Sequence, residues 1–225
     1  MKVFVIGSGK LAHAILNMEI SFQHDEILKW ETHHQFLHEK AILIHAGSGR
    51  QLSECFEFCT KTKSVLIELS TGLETETMNP EFPLIICPNT SILVLKTLNM
   101  LKASGRYFAE YKISITESHQ STKITEPGTA FAFAAALNSP PDNIVSVRNQ
   151  AIQQTEIGIP EAYLDKHAYH KIVIVDGNDE VTIETKVLGH DSYAKGVEAI
   201  IGAVLNFGFE SKRYTILDLI EKNLL

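Results

Sequence analysis

The sequence predicts an α/β protein, with a parallel sheet in its first half and a mixed or antiparallel sheet in its second. Three observations carry this. A short apolar run, Val3-Phe4-Val5-Ile6, leads straight into Gly7-Ser8-Gly9-Lys10-Leu11-Ala12. Apolar strand-like runs then alternate with helical stretches as far as about residue 91, the pattern of a parallel sheet covered on both faces. Beyond that point strands alternate apolar with polar residues, and two are joined by Asp176-Gly177-Asn178-Asp179, a hairpin turn signal.

Composition bounds the class. With 225 residues, 44% hydrophobic and 21% charged, the chain reads as an ordinary soluble globular protein. A net charge of −7 without any basic cluster argues against nucleic acid as a partner. The apolar runs are too short to span a membrane, and the opening one breaks at Gly7 too early for a signal peptide. Three cysteines, Cys55, Cys59 and Cys87, make no disulfide framework, so a cytoplasmic location is expected.

The pattern Gly7-x-Gly9-x-x-Ala12, after a strand and opening a helix through Met18, is the context that a Rossmann-like dinucleotide fingerprint requires. Gly7 makes the tight turn, Gly9 admits the pyrophosphate, and Ala12 lets the helix pack closely on the strand. Ser8, Lys10 and Leu11 complete the cofactor-binding turn. The run 26–31 reads as the second strand, ending in Glu31 roughly 20 residues on, where a carboxylate accepts hydrogen bonds from the adenosine ribose. No arginine follows to hold a 2′-phosphate, and Lys10 is the one close cation. NADH is therefore expected in preference to NADPH. His34 and His38 would share a helix face beside His33, but surface histidines before a strand explain them adequately, and no metal site is expected.

Residues 41–45 form a third expected strand, with Gly47-Ser48-Gly49 as its turn and a helix over 51–61. A fourth strand, 64–69, ends in Ser70-Thr71-Gly72, and a fifth, 84–86, ends in Cys87-Pro88-Asn89-Thr90-Ser91. Strand-end loops of a parallel sheet face the ligand, although Ser, Thr, Gly, Pro and Asn satisfy ordinary turn chemistry as well. A helix is expected over 92–103, then strands near 107–116, 143–148, 171–175 and 181–187. A long helix from Asp191 to about Phe207 carries Gly196, Ala199, Gly202 and Ala203, small residues that permit close packing on a neighbour. A short amphipathic helix over 215–224 ends the chain.

The stretch from Glu117 to Ala130 concentrates the chemistry. It lies between an alternating strand and an Ala-rich helix, and collects an imidazole, an ammonium, two carboxylates and a Pro-Gly. Gly128 and Thr129 open the helix, so their backbone N–H groups and the helix dipole favour an anion. Lys123 supplies a full positive charge, and His119 titrates near neutrality and can donate a proton. Together they describe a site for a small carboxylate that receives a proton. The same groups would also decorate an ordinary loop before a Pro-Gly helix start.

These residues resemble the signature of the dihydrodipicolinate reductase family, Glu-x-His-His-x-x-Lys-x-Asp-x-Pro-Ser-Gly-Thr-Ala. The chain matches at Glu117, His119, Lys123, Pro127, Gly128, Thr129 and Ala130. It departs where Gln120 replaces the second His, where Thr125 replaces Asp, and where the Ser between Pro127 and Gly128 is missing. The family's Gly-Thr-Thr-Gly and Ala-x-Asn-Phe-Ser loops are recognisable in Leu69-Ser70-Thr71-Gly72 and Cys87-Pro88-Asn89-Thr90-Ser91. The resemblance implies a dinucleotide-binding domain over 1–91 and 191–225, and a substrate-binding and oligomerisation domain over 92–190. It implies that Ser70, Thr71, Gly72, Pro88, Asn89 and Thr90 hold the nicotinamide, and that the protein is a homo-oligomer, a tetramer in the family.

The resemblance further implies a reductase that uses NADH to reduce a cyclic dicarboxylate imine or enamine, with the dihydrodipicolinate precursor of diaminopimelate and lysine as substrate. His119 is the expected proton donor, with Lys123 as its catalytic companion. Lys123, Gly128 and Thr129, with Gln120 and Thr71 contributing, are the expected carboxylate cradle. Two alternatives stay open: a related reductase with a different small carboxylated substrate, and a non-catalytic NAD-binding sensor on the same fold.

Overall fold

The computed structural model describes residues 1–18 and 26–225. The chain forms two compact units, Met1–Ile92 with Tyr193–Leu225, and Leu93–Ser192. Among the described residues no helix is long and apolar enough to cross a membrane.

The first unit is built on six strands: β1 (Lys2–Ile6), β2 (Glu26–Lys29), β3 (Ala41–His45), β4 (Val65–Glu68), β5 (Leu84–Ile86) and, near the end of the chain, β10 (Arg213–Thr215). Their order is β10-β5-β4-β3-β1-β2, and every pairing is parallel. The unbroken apolar runs are the cause. β3 and β4 are buried along their whole length, as strands covered on both faces must be. Helix α2 (Leu52–Thr62) turns Cys55, Phe58 and Cys59 into a core shared with Phe4, Trp30, Leu43 and Leu66. The order reverses between β1 and β3, and in such sheets ligands bind beyond the strand ends at that point.

Three local expectations change here. β2 stops at Lys29 instead of Glu31, because the Trp30 ring is buried edge-on against Phe4 and Phe58. The backbone enters a 3₁₀ turn over Trp30–Gln35, with Glu31 exposed in its first turn. That turn is too short to bring His34 and His38 onto one helix face, and His33 stacks on Trp30 at 3.8 Å instead. The first helix, α1 (Lys10–Leu16), ends before Met18, with Asn17 as its cap.

The second unit begins with α3 (Ile92–Ser104). Its four strands are β6 (Lys112–His119), β7 (Ile144–Val147), β8 (His167–Asp176) and β9 (Asp179–Leu188), in the order β7-β6-β8-β9. β6 pairs in parallel with β7 and antiparallel with β8, so the sheet is mixed. Gly177, at φ 58°, takes the first position of the two-residue β8–β9 turn, where a positive φ requires glycine. Residues 107–111 do not join β6. A 3₁₀ turn (Gly105–Phe108) precedes it, because Gly105 packs so tightly that a Cβ would lie 2.1 Å from the Ala136 carbonyl oxygen. β6 instead runs on to His119, past the expected strand end. Helix α4 (Gly128–Ala136) buries Ala130, Phe133 and Ala134, and α5 (Gln150–Thr155) comes after β7.

In the first unit, Gly196 of α6 (Asp191–Asn206) shows what the small residues do. A Cβ there would lie 1.6 Å from the Thr90 carbonyl oxygen, so only glycine permits this approach. The last helix, α7 (Ile216–Glu221), opens on a capping box between Thr215 and Asp218.

Candidate active site

Period-2 alternation along β6 places Ile113, Ile115, Glu117 and His119 on one face. The two isoleucines are buried, and the Glu117 side chain is completely so. A lone carboxylate could not remain there. One Glu117 oxygen lies 2.6 Å from His119 Nδ1, and the other accepts a 2.6 Å bond from an Arg148 Nη atom. Burial alone would raise the Glu117 carboxyl; the bonds from His119, Arg148 and Ser146 outweigh it and bring the value down to about 2. Glu117 is therefore a carboxylate, and Nδ1 of His119 carries the proton between them. The ring is 17% exposed, enough to meet a ligand.

The support behind this pair is polar and buried. Gln153 Nε2 donates to the Ser118 hydroxyl at 3.0 Å, to the His119 carbonyl at 2.8 Å and to the Val147 carbonyl at 3.1 Å, joining the end of β6 to α5. Asn149, next to Arg148, caps α5 by accepting from Ala151 N and Ile152 N. His167 Nδ1 lies 3.0 Å from the Tyr163 carbonyl, which can only accept, so Nδ1 carries a proton, while Nε2 lies 2.9 Å from Ser118 Oγ. Burial lowers the His167 pKa, which favours its neutral form.

His170 stands opposite Glu117 in the β6–β8 register, its ring 5.8 Å from that of His119 and 5.4 Å from that of Phe133. Its Nδ1 meets the Thr185 hydroxyl at 3.1 Å, while Nε2 has no partner among the described residues. Burial, then the charge of His119, push His170 down to about 4, against the pull of Glu117.

These shifts set a stability profile. A histidine depressed in the folded state stays neutral while the unfolded chain takes up a proton, so its contribution is complete above about pH 6.5. It is lost as pH falls towards 4. We expect the urea midpoint of the wild type to fall through this window, and His170→Leu to remove a part of the loss on the order of 3 kcal/mol. Parallel profiles for the two proteins would contradict the assignment.

The loop expected to begin at Glu117 begins at Gln120, because β6 holds Glu117 and His119 as strand residues. Lys123 N donates to the Gln120 carbonyl at 3.0 Å, closing one turn. The Lys123 ammonium donates to the Thr125 hydroxyl at 2.9 Å, a neutral partner. Gly128 departs from expectation: its N–H donates to the Glu126 carbonyl at 3.0 Å instead of standing free for an anion. The space on its Cβ side is open: apart from its own helix and chain neighbours, no heavy atom of the described residues lies within 4 Å. Thr129 is half-buried on the first turn of α4, and Gln120 is half-buried at the start of the turn.

The first unit holds the other expected residues. Gly7, at φ 131°, fits so closely that a Cβ would lie 2.4 Å from the Ala46 carbonyl oxygen. Gly9 caps α1 without a side-chain bond and has open space where a Cβ would stand, while Ser8 and Lys10 are exposed and Leu11 is half-buried. This uncapped, unobstructed glycine turn fits a dinucleotide pyrophosphate. Ser70 accepts from Ser48 N at 3.1 Å, Thr71 is exposed, and Gly72 N donates to Glu76 at 2.8 Å. Pro88 is exposed, and Asn89 Oδ1 accepts from Ser91 N at 2.8 Å. Thr90 is buried, with its hydroxyl on the Tyr193 carbonyl at 2.9 Å.

Sequence reasoning assigns no role to Glu117, Arg148 or Gln153. The alternation Ile113-Ile115-Glu117-His119 is the available signal for the first; the other two arrive only through tertiary structure.

Comparison with known proteins identifies the family and the fold. The model of the dihydrodipicolinate reductase C-terminus matches residues 94–220, more than half of the chain. A probable 4-hydroxy-tetrahydrodipicolinate reductase 1 of Oryza sativa subsp. japonica is 30% identical over 125 residues, 51% of this chain and 36% of that protein. The chain thus matches about a third of the length of that relative. The 4-hydroxy-tetrahydrodipicolinate reductase of Rickettsia canadensis is 24% identical over 82% of this chain and 80% of its own. Among solved structures, the dipicolinate-bound dihydrodipicolinate reductase of Paenisporosarcina sp. TG-14 superposes with a TM-score of 0.65 over 97% of this chain and 98% of that one, at 16% identity. A diaminopimelate dehydrogenase of C. glutamicum gives 0.50 at 9% identity, over 99% of each chain. Both show likeness of fold.

Proposed function

The chain belongs to the dihydrodipicolinate reductase family, and from that premise we propose that it reduces a cyclic imine or enamine bearing carboxylates, with the dihydrodipicolinate precursor of diaminopimelate and lysine as the favoured substrate. The observation that carries this reading is the Glu117–His119 pair, whose 2.6 Å contact leaves Nε2 to transfer the proton, at the edge of the loop that carries Lys123. NADH, when bound, supplies the hydride. His119 delivers a proton to the reduced substrate from Nε2, while Glu117 keeps the ring in one orientation and Arg148 keeps Glu117 in place. Lys123, whose partner Thr125 carries no charge, binds a substrate carboxylate. Thr129 and the open side of Gly128 complete that cradle, the Gly128 N–H having first to leave the Glu126 carbonyl. Gly7, Gly9 and their neighbours seat the pyrophosphate, and the loops after β4 and β5 seat the nicotinamide.

Glu31 is assigned to the adenosine ribose, where it would repel a 2′-phosphate. One charge-assisted hydrogen bond is worth roughly 1.5–3 kcal/mol, so NADH should bind about one to two orders of magnitude more tightly than NADPH. Calorimetry returning equal constants would remove Glu31 from this role and point to Lys10 as the phosphate partner.

A second reading, a related reductase for a different small carboxylated substrate, is favoured by Gln120 and by the shortened Pro127-Gly128 step. A neutral amide replaces a group that can become cationic, and a hydroxyl donor is absent. Two lost contacts to charged oxygens would weaken binding by about 10²–10⁴-fold. Turnover across a panel of cyclic imino acids separates the two readings: the best substrate is the dihydrodipicolinate precursor in the first and another member of the panel in the second.

A further inference from the structure

The apolar strands β3 and β4 both end on a polar residue, His45 and Glu68, which face each other in the parallel register. Both side chains are completely buried. His45 Nδ1 lies 2.7 Å from Glu68 Oε1, and that oxygen also accepts from Ser70 N at 2.7 Å. On the far side of the ring, Nε2 lies 3.0 Å from the Arg50 carbonyl.

These contacts fix the proton inventory. A carbonyl can only accept, so Nε2 carries a proton. One more proton is then shared between Nδ1 and Oε1, as imidazolium with carboxylate or as imidazole with carboxylic acid. Either way the pair has no net charge. Replacing one member alone would leave the other buried and uncompensated. The second Glu68 oxygen has no partner among the described residues.

What the pair grips is two loops. His45 holds Arg50, and with it a segment in which Ser48, Gly49 and Gln51 all have left-handed backbones, at φ 52°, 86° and 59°. Side chains other than glycine adopt that conformation where the surroundings impose it. A Cβ on Gly47 would come within 3.0 Å of His45 Nε2, so the ring lies directly beneath this backbone. Glu68 holds Ser70, and Ser70 in turn accepts from Ser48 N at 3.1 Å, linking the two loops. Packing alone would be served as well by two aliphatic side chains, as at the neighbouring pair of Ile44 and Ile67.

We propose that His45 and Glu68 are positioning residues for the cofactor: a buried pair that fixes the loops after β3 and β4 in the shape that receives the nicotinamide end of NADH. This rests on the assignment of the β4 loop to the nicotinamide.

The test compares wild type, Glu68→Gln and the double variant His45→Leu/Glu68→Leu, which leaves no buried group uncompensated. Amide hydrogen exchange of 47–51 and 69–72 is measured without nucleotide, NADH affinity by fluorescence titration, and folding by urea denaturation. In the double variant we expect faster exchange confined to the two loops, and NADH bound about tenfold or more weakly. In Glu68→Gln one amide atom would have to accept from Ser70 N and donate to the imidazole, so at most one of the two contacts survives, and loop exchange and NADH affinity should move in the same direction as in the double variant. A folded double variant with wild-type exchange and wild-type NADH affinity would overturn the proposal. If the loops loosen but NADH affinity holds, and NADH gives those loops no protection in the wild type, the cofactor assignment fails while the grip of the pair on the loops stands. Should the double variant not fold, His45→Gln, with one amide for two partners, is read in the same way.

Discussion

Replacing His119 with alanine should lower turnover by about 10²–10⁴-fold while leaving NADH affinity within a factor of about two. The ring lies in the second unit, where it meets Glu117 and His170, while the His119 backbone carbonyl accepts from Gln153. Removing it deletes a proton donor without disturbing the glycine turn after β1. The strand position also limits collateral damage, since the bond from Gln153 is to the backbone and survives the substitution. Steady-state kinetics with a parallel NADH titration checks this. Full activity in His119→Ala would reduce the histidine to a structural element of β6.

The second large effect is expected at Glu117, where stability and catalysis should fall together. Its side chain is fully buried and bonded to both His119 and Arg148. Breaking a buried charge pair by deleting one partner typically costs about 3–5 kcal/mol. Arg148 is 25% exposed and can turn towards solvent, so about 2–3 kcal/mol is the expectation for Glu117→Ala. The pH dependence carries a sign. A carboxyl lowered to about 2 in the folded state contributes in full above about pH 4.5, and the contribution disappears as pH falls towards 2. The variant should therefore lack the part of the acid transition that lies in that window. Its turnover should also fall by about tenfold or more, because the imidazole loses the acceptor that orients it. A variant with the wild-type urea midpoint and wild-type turnover would show that the pair supports neither fold nor chemistry.

The parts of the fold that can be read from sequence are those set by local periodicity. Continuous apolar runs announce β3, β4 and β5 as buried parallel strands, Gly177 announces the β8–β9 turn, and Gly128 marks the start of α4. The misplacements have tertiary causes. Glu31 leaves the strand because Trp30 is drawn into the core with Phe4 and Phe58, which no local pattern records. Residues 107–111 read as strand because alternation is blind to the tight contact of Gly105 with Ala136. The end of β6 is placed too early because Glu117 and His119 look like loop residues until Arg148, Gln153 and His170 arrive from other strands and helices to bury them. The Gly128 N–H looks free by the rule for helix starts, and a carbonyl two residues earlier engages it. His45 and Glu68 illustrate the same limit: in sequence they end apolar runs, and only the register of β3 against β4 reveals them as a pair.

Whether the protein is a reductase of this substrate is decided by transfer of deuterium from 4-deuterated NADH to the product. The dihydrodipicolinate precursor is generated in situ by its synthase, and the product is read by mass spectrometry beside the loss of NADH absorbance. One deuterium should enter the reduced ring for each NADH oxidised, with the rate of labelling lowered by about 10²–10⁴-fold in His119→Ala at matched NADH occupancy. A preparation that binds NADH yet oxidises none and leaves the ring unlabelled would contradict the proposed reaction.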